Sequence, residues 1–322
     1  MESLSSFFSA LMQGQKVKHV APAFVRVHER YCEHRLLPLK GMLEHIAYSL
    51  YRMPATLAAL ERVLERLDIA EFSPSSLLDL GSGPGTAIIA ARRRFPSLND
   101  IVGLEQSPEF LTISQKLVGN AVQKGDLEKD IMDRDVDLVV ASYSFGELTP
   151  QARERWIHYA AKHARAMVLV EPGTPQGWKC LMECRDQMIA QGMFIAAPCP
   201  HHASCPFVGT KWWCHEAVRL PRTRFHRWIK GGRLGYEDEK FSYIIGFSEP
   251  IERPECRIVH APRHRSGHTH LSLCQADGQL KKYVVSRRNK ELYSLVKRVK
   301  WGDAFPNPTS WREKDENMCS AM

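Results

Sequence analysis

The sequence predicts an α/β chain built on a doubly wound, mostly parallel sheet, with a helical region before the sheet and a cysteine-rich segment inserted in it. Three observations predict this. Short apolar runs alternate with helical periodicity from Ser76 to Pro175, a glycine-rich turn joins the first run to its helix, and three cysteines crowd the stretch from Cys199 to Cys214. The 322 residues are 44% hydrophobic and 25% charged, which excludes a disordered or collagen-like chain. Length alone suggests about two domains. No apolar run approaches the roughly 18 residues of a membrane span, so no membrane partner is expected.

In chain order, the first seventy residues read as helices. Leu57, Leu60, Leu64 and Leu67 recur at spacings of three and four, so an amphipathic helix is expected to begin around Met53 to Ala55, with Pro54 near its start. From Ser76 the period changes. SLLDL reads as a strand, GSGPG as a turn and TAIIAARRRF as a helix. DIVGLEQS and SPEFLTISQKLVGNAV repeat the pattern, followed by the strand VDLVVASYSF, the helix ARERWIHYAAKHA, the strand AMVLVEPGTP and a helix over 176–192. Alternating strands and helices imply right-handed parallel crossovers. Beyond Pro198 the alternation stops. Strand patterns return in FSYIIGF and HLSLC, which places the cysteine segment between the fifth and sixth strands of the sheet. The expected organisation is a helical region (1–72), a first part of the core (73–197), a cysteine-rich insertion (198–235), C-terminal core strands (236–303) and a tail (304–322).

A glycine turn at the C-terminal end of a strand and the N-terminus of a helix brings backbone N–H groups close to a ligand. A dinucleotide fingerprint would need glycine at 81, 83 and 86, but Thr86 holds the last place. The chain instead carries Asp79, Gly81, Ser82, Gly83 and Gly85, an acidic strand end followed by G-x-G-x-G. This resembles motif I of the S-adenosylmethionine-dependent methyltransferases, in which the acidic residue lies near the cofactor's ammonium. Glu105 ends the second strand, where a carboxylate can accept ribose hydroxyls. Asp126 follows the third and is a candidate for the adenine amino group. Ser142, Tyr143, Glu147 and Glu171 would line the reacting end. The fourth strand ends in ASYSFGELTP, with neither a D/N-P-P-Y/F motif nor a Pro-Cys nucleophile, so no catalytic residue is assigned.

Nine cysteines in a chain without a recognisable secretory signal read as thiols for metal or redox chemistry rather than disulfides. Cys199, Cys205 and Cys214 are candidate metal ligands. Zinc would need a fourth ligand, such as His201, His202 or His215; an iron–sulfur cluster would prefer a fourth cysteine, with Cys256 and Cys274 as choices. Cys180 and Cys184 stand four apart on a predicted helix and read as buried, inert thiols.

AYSLYRMPATLAAL, LLDLGSGPGTA, VLVEPGTPQGW, CPHHASCPF, WWCHEAVRLPRTRFHRWIKGG, YEDEKFSYI and the late WGD together resemble the mitochondrial small-ribosomal-subunit assembly methyltransferase family and its bacterial relatives, the methyltransferase-like protein seventeen family, over about residues 40–303. The resemblance implies a class I (Rossmann-like) methyltransferase sheet, S-adenosyl-L-methionine as cofactor, contact with the small ribosomal subunit and its rRNA, and a [4Fe–4S] cluster. By position, Cys199, Cys205 and Cys214 match its clustered cysteines and Cys274 its distant fourth; Cys256 is the runner-up. A strand neighbouring FSYIIGF would return Cys274 to the insertion. The implied location is cytoplasmic for a bacterial chain and mitochondrial for a eukaryotic one, and a monomer is expected.

Net charge is +8, and it is uneven. Residues 199–300 carry 20 Lys and Arg against 9 Asp and Glu, whereas residues 1–150 carry 16 against 19. A basic stretch on an otherwise acidic chain is the footprint of a surface that meets a polyanion. Arg219, Arg222, Arg224, Arg227 and Lys230 are interleaved with aromatic residues, a pattern suited to RNA. Glu237, Asp238 and Glu239 are expected to pair with these arginines when RNA is absent. Two readings follow: an rRNA methyltransferase, with zinc in place of the cluster as a variant, or a non-catalytic assembly factor whose cofactor and cluster stabilise or sense.

Overall fold

A computed structural model describes residues 4–32, 39–222 and 235–306. Three helices come first, α1 (Leu4–Met12), α2 (Val17–Cys32) and α3 (Gly41–Leu64). The sequence places the start of α3 near Met53, but the helix begins at Gly41 and runs through Pro54. An internal proline removes one hydrogen bond and costs about 3 kcal/mol. Burial outweighs that cost, because Leu50, Met53, Leu57, Leu60 and Leu64 are all almost fully enclosed.

The main sheet follows as β1 (Ser76–Leu80), α4 (Thr86–Arg94), β2 (Asp100–Glu105), α5 (Pro108–Val118), β3 (Val122–Lys124), β4 (Val136–Ser142), α6 (Pro150–His163), β5 (Ala164–Pro172), α7 (Pro175–Ala190), β6 (Phe194–Ala197), β7 (Glu216–Pro221) and β8 (Tyr236–Phe247). Their order is β3-β2-β1-β4-β5-β8-β6, with β7 pairing along the first half of β8. The strands from β3 to β5 are parallel, and β8 runs antiparallel to both β5 and β6. The expected Rossmann-like α/β sheet is therefore present. Helices α5, α6 and α7 start alike: Ser107, Thr149 and Thr174 each accept a backbone N–H as N-cap, with proline next in line. Helices α3, α4 and α5 cover one face of the sheet, and α6 and α7 cover the other around the fully buried Trp156. The strand order reverses between β1 and β4, so the ligand crevice of such a sheet lies at their C-terminal ends.

Two expectations need correction. The cysteine segment follows β6, a four-residue strand too short for periodicity to reveal, so it lies between the sixth strand and β8 rather than between the fifth and sixth strands. HLSLC does not neighbour FSYIIGF. It belongs to a second, antiparallel sheet formed by β9 (Cys256–Ile258), β10 (Arg263–Arg265), β11 (His268–Gln275), β12 (Leu280–Ser286) and β13 (Ala304–Phe305), with helix α8 (Lys290–Val296). Pro250 and Pro254 interrupt the chain after β8 and carry it out of the first sheet. Residues 236–303 are therefore shared between two sheets. No helix among the described residues is long and apolar enough to cross a membrane.

A polar clamp joins the two sheets to α3 and to the 3-10 turn that follows it (Glu65–Ala70). Arg62 donates to Asp303 Oδ1 at 3.0 Å, and Arg66 donates to Glu216 Oε2 at 3.4 Å and to Asp303 Oδ1 at 3.5 Å. The Tyr243 hydroxyl donates to the buried Glu216 at 2.9 Å. Gly302 has φ +83°, and a Cβ there would fall 2.0 Å from the Glu216 carboxylate. Gly302→Ala should therefore destabilise the protein by at least about 1 kcal/mol, through strain at positive φ and displacement of Glu216. Urea unfolding of both proteins measures this, and an unchanged midpoint would show that the clamp yields freely.

Candidate functional site: a glycine-turn crevice and a four-thiol pocket

The sequence-predicted cofactor residues converge at the C-terminal end of β1. Gly81, Gly83 and Gly85 all have positive φ. A side chain at Gly81 would strike Ser144, and one at Gly85 would strike Val118, whereas one at Gly83 would meet nothing within 4 Å. The turn is thus packed on two sides and open on the third. Asp79 is fully buried below it; Ser82 Oγ donates to its Oδ2 at 2.5 Å, while Oδ1 is buried without a hydrogen-bond partner. Burial, against that hydrogen bond, pushes the Asp79 carboxyl up to about 7. A cation entering beside Gly83 would satisfy the orphaned oxygen, so the residues present fit the ammonium end of S-adenosylmethionine.

Glu105 and Asp126 both have partners within the chain. Glu105 accepts the Gly83 N–H at 2.8 Å on one oxygen and the Ser107 N–H at 2.8 Å on the other. It therefore closes the glycine turn, and a ribose would have to share its remaining lone pairs. Glu105→Ala would disturb the turn as well as the acceptor. Asp126 lies in the neighbouring loop, but its carboxylate accepts from Lys129 Nζ at 2.8 Å and from the Glu128 N–H at 3.0 Å. These contacts hold it low in pKa and within its own turn.

At the C-terminal end of β4, Tyr143 sits at φ +57°, a genuine outlier for a bulky residue. Its hydroxyl donates to Glu239 at 3.2 Å, and Arg52 of α3 grips the same carboxylate at 3.1 and 2.6 Å. Glu239 thus pairs with α3, not with the arginine run. Beside it Glu171 is buried, accepts the Gly146 N–H at 3.0 Å and is pushed by burial up to about 8. The Arg52–Glu239 link joins residues far apart in the chain and leaves no local signal in the sequence.

Cys199, Cys205, Cys214 and Cys274 line one pocket with Trp178, Phe207 and His201. Burial raises all four thiols, Cys205 to about 11, and Cys214 is raised further by the closeness of the other three. Cys256 faces away into the core of the second sheet beside Leu271 and Leu273. His201 Nε2 lies 3.3 Å from Cys274 Sγ, whereas His202 Nε2 accepts the Ile195 N–H at 2.9 Å and looks away from the pocket. Among the described residues no group of three or more His, Cys, Asp or Glu side chains is arranged to hold a single metal ion as it stands.

Two guanidiniums that the sequence does not mark flank these thiols. Arg185 and Arg257 are each 1% exposed. Arg185 donates to the His201 and Ala203 carbonyls at 2.9 and 2.8 Å, and Arg257 to the Pro198 and Gly302 carbonyls at 3.0 and 3.0 Å. Arg185 also pairs with the exposed carboxylate of Asp186 at 3.2 Å, whereas Arg257 has no ion pair among the described residues. A buried charge needs a counter-charge, and the thiol group is the one within reach of both. The donor set therefore fits an anionic, thiolate-bound centre. Cys180 and Cys184 are buried on α7 outside this pocket; Arg153 donates to Cys180 Sγ at 2.8 Å.

Of the predicted RNA contacts, Arg219 is bound to Asp238 at 2.7 and 2.9 Å and stacks over Tyr236 at 4.1 Å, and Arg222 meets Glu237 at 3.3 Å. These two acidic partners are the expected ones. Arg224, Arg227 and Lys230 lie outside the described residues.

The human "Ribosome assembly protein METTL17, mitochondrial" is 28% identical over 291 residues, covering 81% of this chain and 62% of that protein. The Schizosaccharomyces pombe "Rsm22-cox11 tandem protein 2, mitochondrial" is 24% identical over 324 residues, covering 81% of this chain and 43% of that one. The chain thus spans less than two thirds of the length of these relatives. Among solved structures, magnesium protoporphyrin IX methyltransferase from Synechocystis with bound SAH matches at 13% identity and a TM-score of 0.38, over 69% of this chain and 94% of that one. Precorrin-6y C5,15-methyltransferase from Geobacter metallireducens matches at 16% identity and a TM-score of 0.39, over 59% and 86%. A family model described as mitochondrial small ribosomal subunit Rsm22 matches residues 42–306. With so much of its length inside that match, the chain belongs to the Rsm22 family.

Proposed function

We propose that the chain is an S-adenosylmethionine-binding, iron–sulfur methyltransferase-like protein that acts on the maturing small ribosomal subunit and contacts its rRNA. The observation that carries the cofactor reading is the buried, half-satisfied Asp79 beneath a turn that is open only at Gly83. When bound, the cofactor supplies an activated methyl group. The chain's own part is to hold the cofactor's ammonium at Asp79 and to set the edge of the crevice through Glu105. A non-catalytic assembly role is favoured by one feature, the end of β4, where the Tyr143 hydroxyl is committed to a carboxylate already gripped by Arg52.

Four thiols around one pocket, with two buried guanidiniums beside them, support a cluster. Four cysteines around one pocket are the number of thiolates that a [4Fe–4S] cluster takes. Association with the small subunit, and a mitochondrial location, rest on the family and on the names of its relatives.

The Asp79 pKa sets the sign of two pH effects. Its folded value, about 7, lies above the unfolded value of 3.8, so the stability tied to its proton is complete below about pH 4 and is lost as pH rises through 7. In Asp79→Asn that loss, of the order of 4 kcal/mol for a shift of about three pKa units, should disappear from urea unfolding without cofactor. S-adenosylmethionine affinity, measured by calorimetry, should rise with pH up to about neutrality in the unaltered protein and stay flat in Asp79→Asn. Absence of binding, or the same pH profile in both, would contradict the cofactor reading.

Protein purified without oxygen should be brown, with about four iron and four sulfide per chain. Cys274→Ser should lose the colour and co-sedimentation with small-subunit precursors, whereas Cys256→Ser should keep both. Stoichiometric zinc without colour would contradict the cluster.

A further inference from the structure

The cations that the sequence marks for RNA are partly engaged, since Arg219 and Arg222 are held by Asp238 and Glu237. A second basic surface starts at the thiol pocket. Residues directly opposite in antiparallel strands share a face, and side chains alternate along each strand. Counting back along β11 from Cys274, the same face carries Ser272, His270 and His268. Opposite them stand Lys282 on β12, and Arg263 and Arg265 on β10. The face that presents Cys274 to the pocket therefore continues as a row of cations and imidazoles over about 20 Å. Arg263 and Arg265 are exposed and form no ion pair among the described residues.

Aromatic rings stand where this row meets the pocket. His260 contacts Phe207 at 5.9 Å, Trp212 at 6.1 Å and Trp301 at 6.2 Å between ring centroids. Trp212 is 56% exposed, with Lys211 Nζ 5.8 Å from its ring centre. Arg263 and Lys282 lie near enough to His260 to hold its protonation down, after burial. Two polar atoms in this group, His260 Nδ1 and Trp301 Nε1, are buried without a hydrogen-bond partner. Cations that track a backbone, a ring open for stacking and unsatisfied polar atoms beside it are the parts of a single-stranded nucleic-acid site. Exposed large apolar residues here are confined to Trp212 and Val208, too few to anchor a membrane.

We infer that single-stranded RNA runs from Trp212, which meets the pocket-lining Phe207 through His260, across the β10–β11–β12 face of the second sheet, with Arg263 and Arg265 on its phosphates. This rests on the ribosomal reading above and assigns that reading a surface separate from the arginine run. The full chain, purified without oxygen, is titrated with a labelled oligouridylate at several salt concentrations, and colour and thermal midpoint confirm that each variant is folded. Trp212→Ala should weaken binding roughly fivefold or more. The Arg263→Glu/Arg265→Glu double variant should flatten the salt slope by about 1.5, while Arg263→Lys/Arg265→Lys restores it. Unchanged affinity and slope in the first two variants, with loss in Arg219→Glu/Arg222→Glu, would overturn the track and leave the ribosomal reading standing. No RNA binding by the unaltered protein would overturn both. Binding to phosphatidylserine vesicles that these variants abolish, with RNA binding intact, would overturn the track in favour of a lipid surface.

Discussion

The join between the two sheets is the constraint on which the rest of the structure depends. The second sheet has only a small core of its own, in which Cys256, Ile258, Leu271, Leu273, Val285, Val296 and Phe305 are the buried apolar residues. A unit of that size needs staples, because small domains bury too little apolar surface to offset chain entropy. Three sets of contacts hold it to the main sheet: the Arg257 hydrogen bond to Pro198, the Arg62 and Arg66 clamp on Glu216 and Asp303, and the meeting of Cys274 with the three thiols of the β6–β7 segment. Two of these are buried or half-buried polar arrangements, strong only while every partner stays in place.

The same join links the crevice to the thiol pocket. Strand β8 serves both: Glu239 holds Tyr143 and Arg52 beside the crevice, Ser242 donates to the Cys214 carbonyl at 2.9 Å, and Tyr243 donates to Glu216. From the other side, the Trp213 indole donates to the Gly173 carbonyl at 3.0 Å, just beyond β5. A shift of the cysteine segment would therefore act on the backbone that shapes the crevice.

What could be read from the sequence was local. The strand, GSGPG turn and following helix carry their own signal, because glycine at positive φ and an apolar run need no distant partner, and the S/T-P helix starts are equally self-contained. The three clustered thiols are legible because cysteine is rare and its chemistry is distinctive, whereas the choice of Cys274 over Cys256 comes from the family resemblance and not from local pattern. Periodicity failed where burial overrode propensity, as at Pro54 inside α3, or where a strand was as short as Phe194–Ala197. The second sheet went unseen because HLSLC alternates as any strand does, and nothing local says which sheet it joins. Glu105 and Asp126 were placed correctly along the chain, but their partners, Gly83, Ser107 and Lys129, are set by loop geometry. Arg52, Arg185 and Arg257 look like surface cations in sequence, and only folding shows them buried.

That the thiol pocket staples the second sheet to the first is tested most directly by hydrogen exchange, comparing protein purified without oxygen with protein treated anaerobically with a chelator to strip the proposed cluster. Peptides covering 256–305 and 199–220 should lose protection together on stripping, while those covering β1, β4 and β5 keep theirs. Equal protection of 256–305 in both states would show that the second sheet stands without the pocket, and would contradict the account.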